Sequence, residues 1–116
     1  MEFSNRLNLP KTWLIDLDGT LVEHNSYLNG EDKLLSGTNI FFSKKISNND
    51  VVIILTARNQ KYKKQTINFL QNNNIRYDHI IFDLPVGERI LINDKKPDGT
   101  HTAHCYNIDR DTGICI

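Results

Sequence analysis

An apolar run, Trp13-Leu14-Ile15, leads without interruption into Asp16-Leu17-Asp18-Gly19-Thr20, and this junction constrains the chain more than any other stretch. Alternate residues of a strand point to opposite faces. Asp16 and Asp18 can therefore converge only if the backbone bends between or just after them, and Gly19 supplies that bend. Asp-Gly alone is a common turn dipeptide. Placed directly after a buried strand, the two aspartates instead make an acidic pocket at a strand end. Unpaired carboxylates gathered there are costly, so a bound divalent cation is the expected compensation.

With 116 residues the chain can bury one core, and a single domain over residues 1–116 is expected to hold the whole site. Fourteen basic and 14 acidic residues leave no net charge. That balance argues against a polyanion partner, so neither nucleic acid nor an anionic membrane surface is expected. Lys61, Lys63 and Lys64 read as a solvated helix face. No run is long enough to span a bilayer, and Glu2, Asn5 and Arg6 interrupt any secretory pattern, so a cytoplasmic location is expected. Cys105 and Cys115 lack zinc spacing and read as free thiols.

Along the chain, residues 11–17 read as a first strand and the polar segment 23–33 as an excursion that leaves the sheet and returns. Helical spacing follows over 36–47. Val51–Leu55 is a continuous, mostly β-branched apolar run, fit for a central strand buried on both faces. A second helix is expected over 60–72, and further strands over 79–82, 89–93 and 103–108. Strand, helix, strand, helix, strand implies an α/β fold: a Rossmann-like three-layer sandwich around a mostly parallel sheet of about five strands. Ligands of such sheets sit at the carboxyl ends of the strands. Asp16 and Asp18 end the first strand, Thr56 and Arg58 the second, and Asn93 and Asp94 the fourth.

These residues resemble the haloacid dehalogenase superfamily of aspartate-nucleophile phosphatases. Asp16, Asp18, Gly19 and Thr20 match its first motif. Thr56, in Ile54-Leu55-Thr56-Ala57-Arg58, matches its second, and Asn93-Asp94, after Ile90-Leu91-Ile92, matches its fourth. The resemblance implies that Asp16 is the nucleophile and that Asp18 protonates the leaving alcohol and then activates water. It implies Mg²⁺ held by the Asp16 side chain, the Asp18 backbone carbonyl and Asp94, with Gly19, Thr20 and Asn93 as supporting neighbours. Thr56, Ala57 and Arg58, together with the backbone at Leu17, would bind the phosphoryl oxygens.

Two departures shape the expectation. The family's third motif places a lysine upstream of the fourth, whereas this chain reads Leu84-Pro85-Val86-Gly87-Glu88-Arg89. The candidate replacements are Arg89, Arg58 or a lysine of the second helix. No segment has room for a cap domain, so the flap at 23–33 is the only cover, with His24, Asn25 and Tyr27 as candidate substrate contacts. An open site either accepts large substrates or borrows a second copy of the chain as its lid, and only the second alternative calls for a homo-oligomer.

The course of the sequence is similar to small bacterial members associated with capsule and surface-polysaccharide biosynthesis. A phosphorylated sugar, polyol or related small metabolite is the substrate that this likeness implies. The alternatives are a phospho-acceptor that does not hydrolyse and a degenerate member serving as a binding or scaffold domain. Crowding by other carboxylates is expected to keep Asp18 partly protonated and to place the activity optimum on the acid side of neutral.

Overall fold

The computed structural model describes residues 9–115. Glu2, Asn5 and Arg6 lie outside the described residues. β1 (Thr12–Asp16), β2 (Val51–Leu55) and β3 (His79–Ile81) form a parallel sheet in that spatial order. Between β1 and β2 lies α1 (Thr38–Lys44), and between β2 and β3 lies α2 (Lys63–Asn72). The register aligns Asp16 with Leu55 and Leu55 with Ile81. All three strands thus end level, which gives the carboxyl edge of the sheet one common mouth.

β2 is central because it is apolar on both faces: Val52 and Ile54 are fully buried, and Ile53 and Leu55 are half-buried. Ile15, Leu17, Leu21, Val22, Phe41, Leu70, Ile75 and Ile114 complete the core around them. Trp13 stands edge-on to Phe41 with ring centroids 5.4 Å apart. Its indole N–H donates to Asp50 Oδ2 at 2.9 Å, and the same carboxylate accepts the backbone N–H groups of Lys11 and Ser47. Burial works to raise the Asp50 carboxyl, but these three donors outweigh it and hold the group below its ordinary pKa.

α1 is shorter than the periodicity predicts. Gly37, with φ of 89°, starts it, while the Asp50 carboxylate draws the Ser47 N–H out of any further helical turn. The second helical stretch matches its expected bounds, as a 3₁₀ turn over Gln60–Tyr62 that continues into α2. Asn59 Oδ1 caps its start by accepting the Lys61 N–H at 2.9 Å.

The excursion after β1 is a short flap. Glu23 N–H bonds to the Lys33 carbonyl and Leu35 N–H to the Leu21 carbonyl, which stitches its two ends together. A 3₁₀ turn over Ser26–Asn29 forms its tip. At the other end of the chain, Ile114 enters the core, and Gly113 passes so close to Ser36 that a Cβ would collide with the Ser36 carbonyl oxygen.

The described residues contain three strands, and the segments 89–93 and 103–108 run as irregular chain. Ile90 is 81% exposed and Ile92 91%. Residues 82–88 alone connect β3 to the fourth apolar run, a shorter stretch than the dozen or more residues a parallel crossover usually takes. No helix among the described residues is long and apolar enough to cross a membrane.

Candidate active site

Asp16 is the last residue of β1, and its side chain is 39% exposed. Thr20 donates its hydroxyl to Asp16 Oδ2 at 3.1 Å, and Arg89 Nη1 donates to Asp16 Oδ1 at 2.7 Å. The turn that follows is tight. The Leu17 carbonyl accepts the N–H groups of Thr20, Leu21 and Val22, and Gly19, with φ of 83°, gives its own N–H to Val22. Gly19 thus makes the bend for which its lack of a side chain suits it. Its N–H is spent within the turn and its carbonyl accepts from Asp111, so Gly19 supports the loop rather than binding a ligand.

Asp18 meets a cation, not other carboxylates. Arg58 Nε donates to Asp18 Oδ2 at 3.1 Å and Nη2 to Oδ1 at 3.0 Å. On its opposite edge the same guanidinium holds Asp32, with Nη1 to Oδ2 at 3.0 Å and Nη2 to Oδ1 at 2.6 Å. Nη1 also donates to Thr66 Oγ1 at 2.9 Å. A guanidinium has five N–H groups, and all five are used here. The Tyr27 ring covers the planar face, its centroid 3.9 Å from Cζ, and Tyr62 packs edge-on against Tyr27.

Arg58 is 2% exposed. Burial works against its charge, but the hydrogen bonds to Asp32 and Asp18 outweigh that and raise its pKa further. Burial, and after it the Asp18 charge, also push the Tyr27 phenol up. This corrects the phosphate-binding role expected of Arg58, because no donor is left for a phosphoryl oxygen. The expected crowding of Asp18 by other carboxylates is replaced by this contact with the Arg58 guanidinium.

Thr56 is buried at the tip of β2, and its hydroxyl oxygen accepts the Arg58 backbone N–H at 3.0 Å. Ala57 is exposed beside it, and Leu17 is buried with its carbonyl engaged in the turn. In the flap, His24 gives its backbone N–H to Asp111 Oδ1, and Asn25 takes a left-handed conformation with φ of 58° ahead of the 3₁₀ turn. Neither makes a hydrogen bond to Asp16 or Asp18. Asn93 and Asp94 belong to a separate exposed loop, where Thr102 bonds to the Asn93 side chain and to the Asp94 carbonyl. Asp94 is therefore not brought into the Asp16–Asp18 constellation.

Among the described residues no three His, Cys, Asp or Glu side chains gather as a preformed metal cage. The donors that do share the β1 tip are the Asp16 carboxylate and the backbone of its turn. Mg²⁺ keeps several waters and is commonly held by one or two carboxylates, and these are the groups that could offer it protein donors at the β1 tip.

Sequence alone does not single out Asp32 or Thr66. Asp32 follows Glu31 in a polar segment with nothing to mark which acid turns inward. Thr66 lies on the buried stripe of α2, where it reads as core. Comparison of the chain with family models, curated proteins and solved structures finds no match.

Proposed function

We propose that the chain is a phosphatase of the haloacid dehalogenase type, a Mg²⁺-dependent phosphomonoester hydrolase acting on a phosphorylated sugar, polyol or similar small metabolite. One observation carries this reading: Arg89 holds Asp16 at 2.7 Å, so a cation faces the proposed nucleophile where the resemblance calls for a lysine. In the proposed reaction Asp16 attacks phosphorus as the bond to the leaving alcohol breaks, and Asp18 gives that alcohol its proton. Asp18 then takes a proton from water, which attacks the phosphorylated Asp16 and releases phosphate. Arg89 would move from the Asp16 carboxylate onto the phosphoryl oxygens, and Thr56 would donate its hydroxyl there. Mg²⁺ would offset the repulsion between carboxylate and phosphate, with Asp16 and the Asp18 carbonyl as its protein donors.

A second arrangement is favoured by the exposed Ile90-Leu91-Ile92 run. Were residues 89–93 to pair in parallel with β1, residue for residue, the sheet would grow toward the expected five strands and Asp94 would arrive beside the β1 tip. Arg89 would then align with Thr12, about 13 Å from Asp16 at the usual strand rise. The two arrangements exclude each other. Either Arg89 or Asp94 serves the site, and the ion pair supports Arg89.

A non-hydrolytic domain is the rival, favoured by the fact that arginines already engage both aspartates. A panel of phosphorylated metabolites and a generic aryl phosphate, assayed with Mg²⁺ and with chelator, separates them. Mg²⁺-dependent release of phosphate is expected, and its absence across the panel would leave the rival standing.

A further inference from the structure

We infer that Asp32, on the flap, is a positioning residue for Asp18 and acts through the Arg58 guanidinium. The inference rests on the phosphatase reading above, in which Asp18 serves as acid and base. The carboxylates of Asp18 and Asp32 occupy opposite edges of one guanidinium and share its Nη2 as a donor, at 3.0 and 2.6 Å. An arginine paired with Asp18 alone could still swing about its terminal bonds. Asp32 on the far edge, Thr66 on Nη1 and Tyr27 across the face remove that freedom.

The exposure pattern shows which member is being held for use. The side chains of Arg58 and Asp32 are each 1% exposed, whereas that of Asp18 keeps 16%. A buried ion pair adds little net stability over well-packed apolar residues. What this one does is fix the direction of Asp18, the one of its two carboxylates that reaches solvent. The flap is thereby tied to the site at its returning end and through Tyr27, and not through the hydrogen bonds of His24 or Asn25.

The test uses the full chain, Mg²⁺ and para-nitrophenyl phosphate. Asp32→Asn is expected to lower kcat at least about tenfold with KM within about twofold, since Asp32 touches no substrate. Asp32→Glu should recover part of the loss. Arg58→Lys should not match the wild type, because an ammonium cannot span two carboxylates in a fork. A folded Asp32→Asn protein with unchanged kcat, or with its loss carried by KM, overturns the inference.

Should Asp32→Asn fail to fold, Thr66→Val and Tyr27→Leu act on the same guanidinium without removing a charge. Each is expected to lower kcat about threefold at constant KM, and an unchanged kcat in both overturns the inference. Exchange of the Arg58 Nε–H with solvent, read by NMR, needs no activity. Exchange is expected to be slow in the wild type and fast in Asp32→Asn. If that change occurs while the wild type hydrolyses no ester, the clamp stands and the phosphatase reading falls. If ester is hydrolysed while neither kcat nor exchange responds, the clamp falls alone.

Discussion

Arg89 and Asp16 stand 73 positions apart in sequence, yet Arg89 Nη1 lies 2.7 Å from Asp16 Oδ1. Both side chains are more than a third exposed, so the pair contributes at most about 1 kcal/mol to folding. Its interest lies in chemistry rather than stability.

Arg89→Gln should therefore leave the unfolding midpoint nearly unchanged while lowering kcat/KM for an aryl phosphate about tenfold or more. Asp94→Asn, at a residue held in the exposed loop, should stay within about twofold of wild type. The reverse pattern would mean that residues 89–93 pair with β1 and that Asp94 is the residue that serves the site.

Asp50 is the chief polar anchor of the sheet's amino edge, since its carboxylate takes three N–H donors. Asp50→Ala should cost about 2 kcal/mol in urea unfolding at neutral pH, because three part-buried N–H donors lose a charged acceptor. Its pKa is depressed in the folded state, so its stabilisation is complete above the ordinary carboxylate value of about 4 and is lost as pH falls through the folded value. Wild type should lose stability between pH of about 5 and 3, and the loss should be smaller in Asp50→Asn.

Two glycines with positive φ allow a controlled comparison. Gly99, with φ of 95°, faces open space, whereas Gly113, with φ of 83°, abuts Ser36. Gly99→Ala should cost about 1 kcal/mol, the strain of the backbone alone. Gly113→Ala should cost clearly more, about 2 kcal/mol or above, and should detach Ile114 from the core. Equal thermal shifts in the two variants would mean that the Ser36–Gly113 contact is absent.

What could be read from sequence was whatever one stretch of chain determines by itself. Val51–Leu55 lies within a few residues of its turn signals, and its β-branched run made it the central strand in either view. The bend at Gly19 followed from backbone freedom. The fourth and fifth strands were less legible because an apolar run such as Ile90-Leu91-Ile92 shows strand potential without showing whether the preceding connection can deliver it. Sequence places Arg58 at the end of the second strand but does not give its partners, because those depend on Asp32 and Thr66 turning inward from distant segments. Asp32 and Glu31 are indistinguishable until the flap closes.

The central claim is that Asp16 carries the phosphoryl group during turnover. Protein quenched in acid while hydrolysing para-nitrophenyl phosphate with Mg²⁺, then digested and examined by mass spectrometry, tests it directly. The expected result is a phosphoryl group on the peptide containing Asp16, absent with chelator and absent in Asp16→Asn. Turnover that persists in Asp16→Asn, or a phosphoryl group on any other residue, would contradict it.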